Sequence, residues 1–224
     1  MMVVAFGCSF TFGDGLDNLP RNTNFNPQDL WDNKKENKPK PSDKSYPYLI
    51  GKLLKCNVEN HGWRGGSNDM IFRKFFDHLF NNDKSTTYII QWTFPYRSEI
   101  WHSKGNYFWG ILSTFVGKFF KDEHGNKFEA DKFSRRYYEE HFNETESKNK
   151  LLRYMWSVDG VCEKFGYQVI QLLPLGKKYV DFENQSLPKT LLDIEKITNL
   201  VNFEMHPTKD GHERLAEYIT RRIK

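Results

Sequence analysis

The chain is short of cysteine, of long apolar runs and of clustered charge, and each shortage removes a class of protein. Only three of its 224 residues are cysteines, Cys8, Cys56 and Cys162. An odd number with no C-x-x-C spacing suits neither a disulfide framework nor a zinc knuckle, and it points to a reducing, cytoplasmic setting. No apolar stretch approaches the roughly 18 residues that a membrane-spanning helix needs. Met1 leads straight into the first structural element with no basic leader before an apolar segment, so no cleaved signal is expected. The 33 basic and 29 acidic residues leave a formal charge of +4. Without a Lys/Arg run, that is too little to indicate a nucleic-acid partner. Internal repeats, low-complexity tracts and the G-x-x-x-x-G-K-[ST] phosphate loop are missing as well.

Aromatic residues are what the chain has in quantity. An apolar content of 38% is thin for a core, but 19 Phe, 11 Tyr and 6 Trp bury large areas per residue. The length suits one well-buried domain over residues 1–224. Val3-Val4-Ala5-Phe6, closed by Gly7, reads as a strand buried on both faces of a parallel sheet. Residues 14–44 are rich in Asn, Asp, Lys and Pro, the pattern of a long polar loop that is either a lid or a surface excursion. Tyr46, Leu49, Ile50, Leu53 and Leu54 recur at helical spacing, and Asn57 to Asn60 forms a short second strand. Asn60 to Asn68 is a glycine-rich turn, in which Ser67 or Asn68 caps a helix through Met70, Ile71, Phe75 and Leu79. Tyr88 to Trp92 is the next buried strand.

Residues 94–148 lose this regularity and read as an aromatic-rich insertion. Within it Tyr107, Phe108, Trp109, Ile111, Leu112, Phe115, Phe119 and Phe120 suggest a helix, packing the core or walling a substrate. A helix through Leu151, Met155, Val158 and Cys162, a strand at 167–173 and a last helix from about Thr208 complete the chain. This alternation predicts a mostly parallel sheet with helices on both faces, and ligands in such folds bind beyond the carboxyl ends of the strands.

Two termini carry the candidate chemistry. In Gly7-Cys8-Ser9-Phe10-Thr11-Phe12-Gly13, Ser9 directly follows the first strand, where its hydroxyl can enter a cleft beside unengaged backbone N–H groups. Taken alone, it reads first as a turn or capping residue. Near the other end, His206 is held by Pro207 before the last helix, with Glu204 close enough to orient its ring. His206 and His212 have no third ligand at convincing spacing, so no metal is expected, and no cofactor.

Taken together, these segments resemble the SGNH (GDSL-like) esterases. The first is similar to the G-D-S-x-[ST]-x-G block, with Cys8 in place of Asp. The last, Glu204-Met205-His206-Pro207 followed by Gly211-His212, is similar to the D-x-(x)-H-P block with its G-H. The glycine block resembles Gly65-Gly66-Ser67-Asn68. The resemblance implies a three-layer α/β/α, flavodoxin-like sandwich. It also implies an esterase or O-deacetylase in which Ser9 is the nucleophile, His206 the base and Glu204 its partner, with Gly65 donating a backbone N–H to the oxyanion. The G-C-S-F-T opening is also like that of small bacteriophage proteins, which implies work in a host cytoplasm. The partner is then a small-molecule or carbohydrate ester, with no membrane.

Two departures stand out. Where the family's third block, G-x-N-D, supplies an asparagine to the oxyanion, this chain has Gln91-Trp92-Thr93-Phe94, leaving the Thr93 hydroxyl or Asn68 as the substitute donor. Glu204 also replaces the usual Asp. Arg97 reads either as an anchor for an anionic part of the substrate or as one half of a surface ion pair. Two alternatives to the enzyme are a degenerate carbohydrate-binding module, which the missing asparagine favours, and a nucleic-acid-associated phage accessory protein that uses the aromatic insertion.

Overall fold

The computed structural model describes residues 1–17, 40–79, 85–101, 108–112, 120–121, 127–128, 136–173, 186–194 and 206–223; from 99 to 128 only the backbone is described. Five parallel strands form the central sheet. They are β1 (Met2–Gly7), β2 (Asn57–Gly62), β3 (Thr86–Gln91), β8 (Gln168–Leu173) and β9 (Leu191–Asp193), in the spatial order β2-β1-β3-β8-β9. Because β1 sends its two successors to opposite sides, the carboxyl end of β1 is the switch point, where a doubly wound sheet opens a crevice.

Alternation along the strands divides the core into two layers. Val4 and Phe6 of β1, Tyr88 and Ile90 of β3 and Val169 of β8 face α3 (Asn68–Leu79) and α4 (Glu144–Phe165). Val3, Ala5, Ile89, Ile170 and Leu172 face α2 (Tyr46–Leu54) and α5 (Lys209–Thr220). The result is the three-layer α/β/α sandwich that the element order predicts. Among the described residues, no helix is long and apolar enough to cross a membrane.

Helix ends follow their local chemistry. Ser67 Oγ accepts from Met70 N–H at the start of α3, Asn143 from Glu146 N–H at the start of α4, and Thr208 from Gly211 N–H at the start of α5. Gly166, at φ +75, closes α4.

The insertion departs from expectation. Phe108–Leu112 is a strand, β5, paired antiparallel with β4 (Ser98–Trp101), where helical spacing had suggested a helix. Phe108, Trp109 and Ile111 are strand formers, and pairing with β4 gives them a ladder that overrides the pattern. A second small hairpin joins β6 (Phe120–Lys121) to β7 (Lys127–Phe128). Residues 18–39 of the polar loop and 113–119 of the expected helix lie outside the described residues.

Candidate active site

β1 ends at the switch point and passes directly into a single helical turn, α1 (Ser9–Phe12). That turn is fixed from beneath by a buried polar chain. Thr11 Oγ1 donates to Gln91 Oε1 (2.8 Å), Tyr46 Oη donates to Thr11 Oγ1 (3.0 Å), and Gln91 Nε2 points at Cys8 Sγ (3.8 Å). Asn60 Nδ2 holds the Thr11 carbonyl at 2.7 Å, while its Oδ1 receives Gly62 N–H at 2.8 Å.

The glycine turn after β2 lies against this one. Trp63 N–H donates to the Gly7 carbonyl (3.0 Å), and Gly66 N–H to the Trp63 carbonyl (3.0 Å). Gly62 runs so close to α1 that a Cβ there would sit 2.5 Å from Phe12 N. Gly65 has φ +69, and an added Cβ would meet nothing within 4 Å, so backbone conformation, not crowding, requires glycine. Among the described residues, no backbone carbonyl takes the N–H of Ser9 or of Gly65. Arg64 ties the two turns together, with Nε 2.6 Å from Asp14 Oδ1 and its guanidinium 4.9 Å over the Phe12 ring.

His206 comes to this point from the far end of the chain. Its Nε2 lies 2.9 Å from Ser9 Oγ, and its ring meets Phe10 edge-on at 5.5 Å. Below it, His212 is fully buried and accepts Tyr46 N–H on Nδ1 (3.1 Å), with its ring stacked 6.0 Å from that of Tyr46. Burial pushes the His212 imidazole down to about 4, with nearby His206 adding to the effect. His212 is therefore a neutral strut between α2 and α5.

Ser9 Oγ, at the end of a central strand, thus lies within hydrogen-bond reach of an imidazole and beside two N–H groups that no backbone carbonyl takes among the described residues. Structural comparison places this architecture. A protein described as lipolytic, of the G-D-S-L family, from Desulfitobacterium hafniense DCB-2 superposes over 99% of both chains with a TM-score of 0.51 at 18% identity. An acetyl xylan esterase from the rumen bacterium Butyrivibrio proteoclasticus superposes with a TM-score of 0.52 at 11% identity, covering 99% of this chain and 63% of its own. The fold is that of the SGNH hydrolases. No protein-family model matches the sequence, and no curated protein matches it either.

Compared with the SGNH pattern, the remaining candidates take up distinct positions. Asn68 Oδ1 accepts Thr93 N–H (2.8 Å), and its Nδ2 donates to the carbonyls of Thr93 (3.1 Å) and Phe94 (3.3 Å). Both amide hydrogens are taken, so Asn68 clamps the turn after β3 and has none left for an oxyanion. Thr93 Oγ1 accepts from Arg97 Nη1 at 3.1 Å. Arg97 thus packs over Phe94 (5.1 Å) and braces Thr93, where the sequence suggested a substrate anchor or a surface ion pair. Glu204 lies outside the described residues. Sequence reasoning missed Gln91, Asn60 and the Arg64–Asp14 pair. A glutamine closing the otherwise apolar Tyr88-Ile89-Ile90 run was the one available signal.

Proposed function

We propose that the chain is a serine esterase that removes a small acyl group, acetyl above all, from an alcohol or carbohydrate ester. The observation that carries this reading is the 2.9 Å contact between Ser9 Oγ and His206 Nε2. His206 takes the hydroxyl proton as Ser9 attacks the ester carbonyl. The tetrahedral oxyanion then draws on the N–H groups of Ser9 and Gly65 and on the Thr93 hydroxyl. Collapse breaks the bond to the alcohol, which leaves with the proton from His206. Water, deprotonated by the same imidazole, releases the acyl group and restores Ser9. Glu204 fits as the carboxylate that fixes the tautomer of His206, on the strength of its motif. The acetyl xylan esterase with the same fold supports the choice of an acetylated substrate. The G-C-S-F-T opening and the sparse cysteines support a phage-type protein acting in a reducing cytoplasm.

The test is a fluorophosphonate probe together with p-nitrophenyl acetate turnover. Both signals are expected in the native chain, and turnover should drop about 10⁴-fold or more in Ser9→Ala and in His206→Ala. If folded native protein gives neither signal, the esterase reading fails and a binding module takes its place.

A further inference from the structure

A second cluster of chemically able side chains sits on the edge strand of the sheet, apart from Ser9. Glu59 and His61 are two residues apart on β2 and so face the same side, in register with Val4 and Phe6 of β1. Helix α3 covers that side, and His78 in its last turn reaches the same spot. Glu59 Oε2 lies 3.1 Å from His61 Nε2 and 3.1 Å from His78 Nε2. The three donor atoms all fall within 4.8 Å of one another.

The packing aims these atoms. The His61 ring stacks on Phe6 at 5.0 Å, and the His78 ring meets the same Phe6 edge-on at 5.6 Å. Tyr88 Oη approaches His78 Nδ1 at 3.4 Å, so the other nitrogen, Nε2, turns towards Glu59. A hydrogen-bonding partner on the far nitrogen is how proteins orient an imidazole ligand. Ligand bonds of about 2.0–2.2 Å in a tetrahedral site set neighbouring donors about 3.3–3.5 Å apart. Both 3.1 Å separations are within a few tenths of that, and the third, between the two imidazole nitrogens, lies within 4.8 Å and has to close on the ion. Glu59 is half exposed and His61 more than a third exposed, which leaves a path in for an ion. Lys74, a cation on the same helix, holds its Nζ 4.6 Å over the Trp63 ring.

We propose that Glu59, His61 and His78 form a binding site for a divalent transition metal of the zinc class, with a fourth position left for water. Two imidazoles and a carboxylate are the donor set such ions prefer, in contrast to the all-oxygen sets of calcium and magnesium. The reason that the sequence hid the site is separation: His78 comes from the helix after the glycine turn, and only the β2–α3 packing delivers it. The ion clips together the two arms that carry the Trp63–Ser67 turn, and so steadies Gly65. Metal binding does not depend on the esterase reading, although its link to Gly65 does.

The probe is Zn²⁺ alone, titrated by calorimetry into untagged, chelator-stripped full chain. We expect one equivalent bound, with Co²⁺ in its place giving the intense visible bands of a four-coordinate ion. At a hundredfold excess over Kd, Zn²⁺ should raise Tm by about 5 °C or more. Glu59→Gln, at a half-exposed position, should weaken binding by at least about tenfold, the scale on which loss of a ligand's own hydrogen-bond partner already acts. His61→Gln gives the same readout should Glu59→Gln fail to fold, and His141→Ala, at an exposed histidine elsewhere, should bind as the native chain does. Absence of saturable binding below about 1 mM, or undiminished binding in the Glu59 and His61 variants, overturns the site. Because calorimetry and Tm need no ester, these outcomes are read separately from those of the Ser9→Ala test.

Discussion

A hydroxyl that accepts a hydrogen bond from a guanidinium must aim its own proton elsewhere, and Thr93 is in that position under Arg97. If Thr93 supplies the donor that asparagine gives in the family pattern, Thr93→Val should lower kcat by about 10²–10³ with KM little changed, while Thr93→Ser keeps most of the rate. Steady-state kinetics on p-nitrophenyl acetate distinguishes the two. The glycines of the neighbouring turn give a second contrast. Gly65→Ala meets no atom, so its cost is that of holding a side chain at φ +69, about 1–2 kcal/mol on the urea midpoint. Gly62→Ala drives a Cβ into the α1 backbone and should cost clearly more in the same measurement. Ser9 and His206 were legible because each sits in a short motif at an element boundary. Arg64 and Asp14 were not, since a charged residue in a loop carries no mark of the partner it meets across the fold.

Helices α2, α3, α4 and α5 were readable because each buries one stripe and leaves polar residues on the other side, which stamps a 3.6-residue period on the sequence. α1 and β9 are too short, at four and three residues, to leave any period. β5 was misread because aromatics three and four apart satisfy a helix and a strand alike when most of the segment is apolar. How elements meet is harder still to read, and Asn68 illustrates it. As the first residue of α3 it looks like a cap, yet its amide makes three hydrogen bonds to the turn after β3, and capping falls to Ser67. Asn68→Ala leaves the Thr93 N–H without a partner in a buried place and removes two carbonyl contacts. The expected loss is about 3 kcal/mol, read from the urea midpoint. Asn68→Asp keeps the acceptor for Thr93 N–H but turns a carboxylate oxygen towards two carbonyls, so it too should destabilise.

At the scale of the whole molecule, the two helical layers are joined to the sheet mainly by apolar contact, and His212 is a buried titratable group among them. It stands on α5 against α2 with the Tyr46 ring stacked on it and His206 nearby, and its acceptor nitrogen, Nδ1, is already used by Tyr46 N–H. In the folded chain the ring stays neutral down to about pH 4, whereas in the unfolded chain it protonates near its ordinary value of 6.5. Between those limits the unfolded state binds the extra proton, so acidification favours unfolding. The stability involved is fully present above about pH 6.5 and is lost as the pH falls to about 4, amounting to roughly 3 kcal/mol at most. Urea unfolding at steps across that window should therefore show the native chain weakening steadily. In His212→Gln, whose amide oxygen can still accept Tyr46 N–H, the titrating group is gone, so its stability curve should be flatter over the same interval even if its value at neutral pH is lower. Parallel curves for the two proteins would assign the acid sensitivity to carboxylates elsewhere and remove His212 as its source.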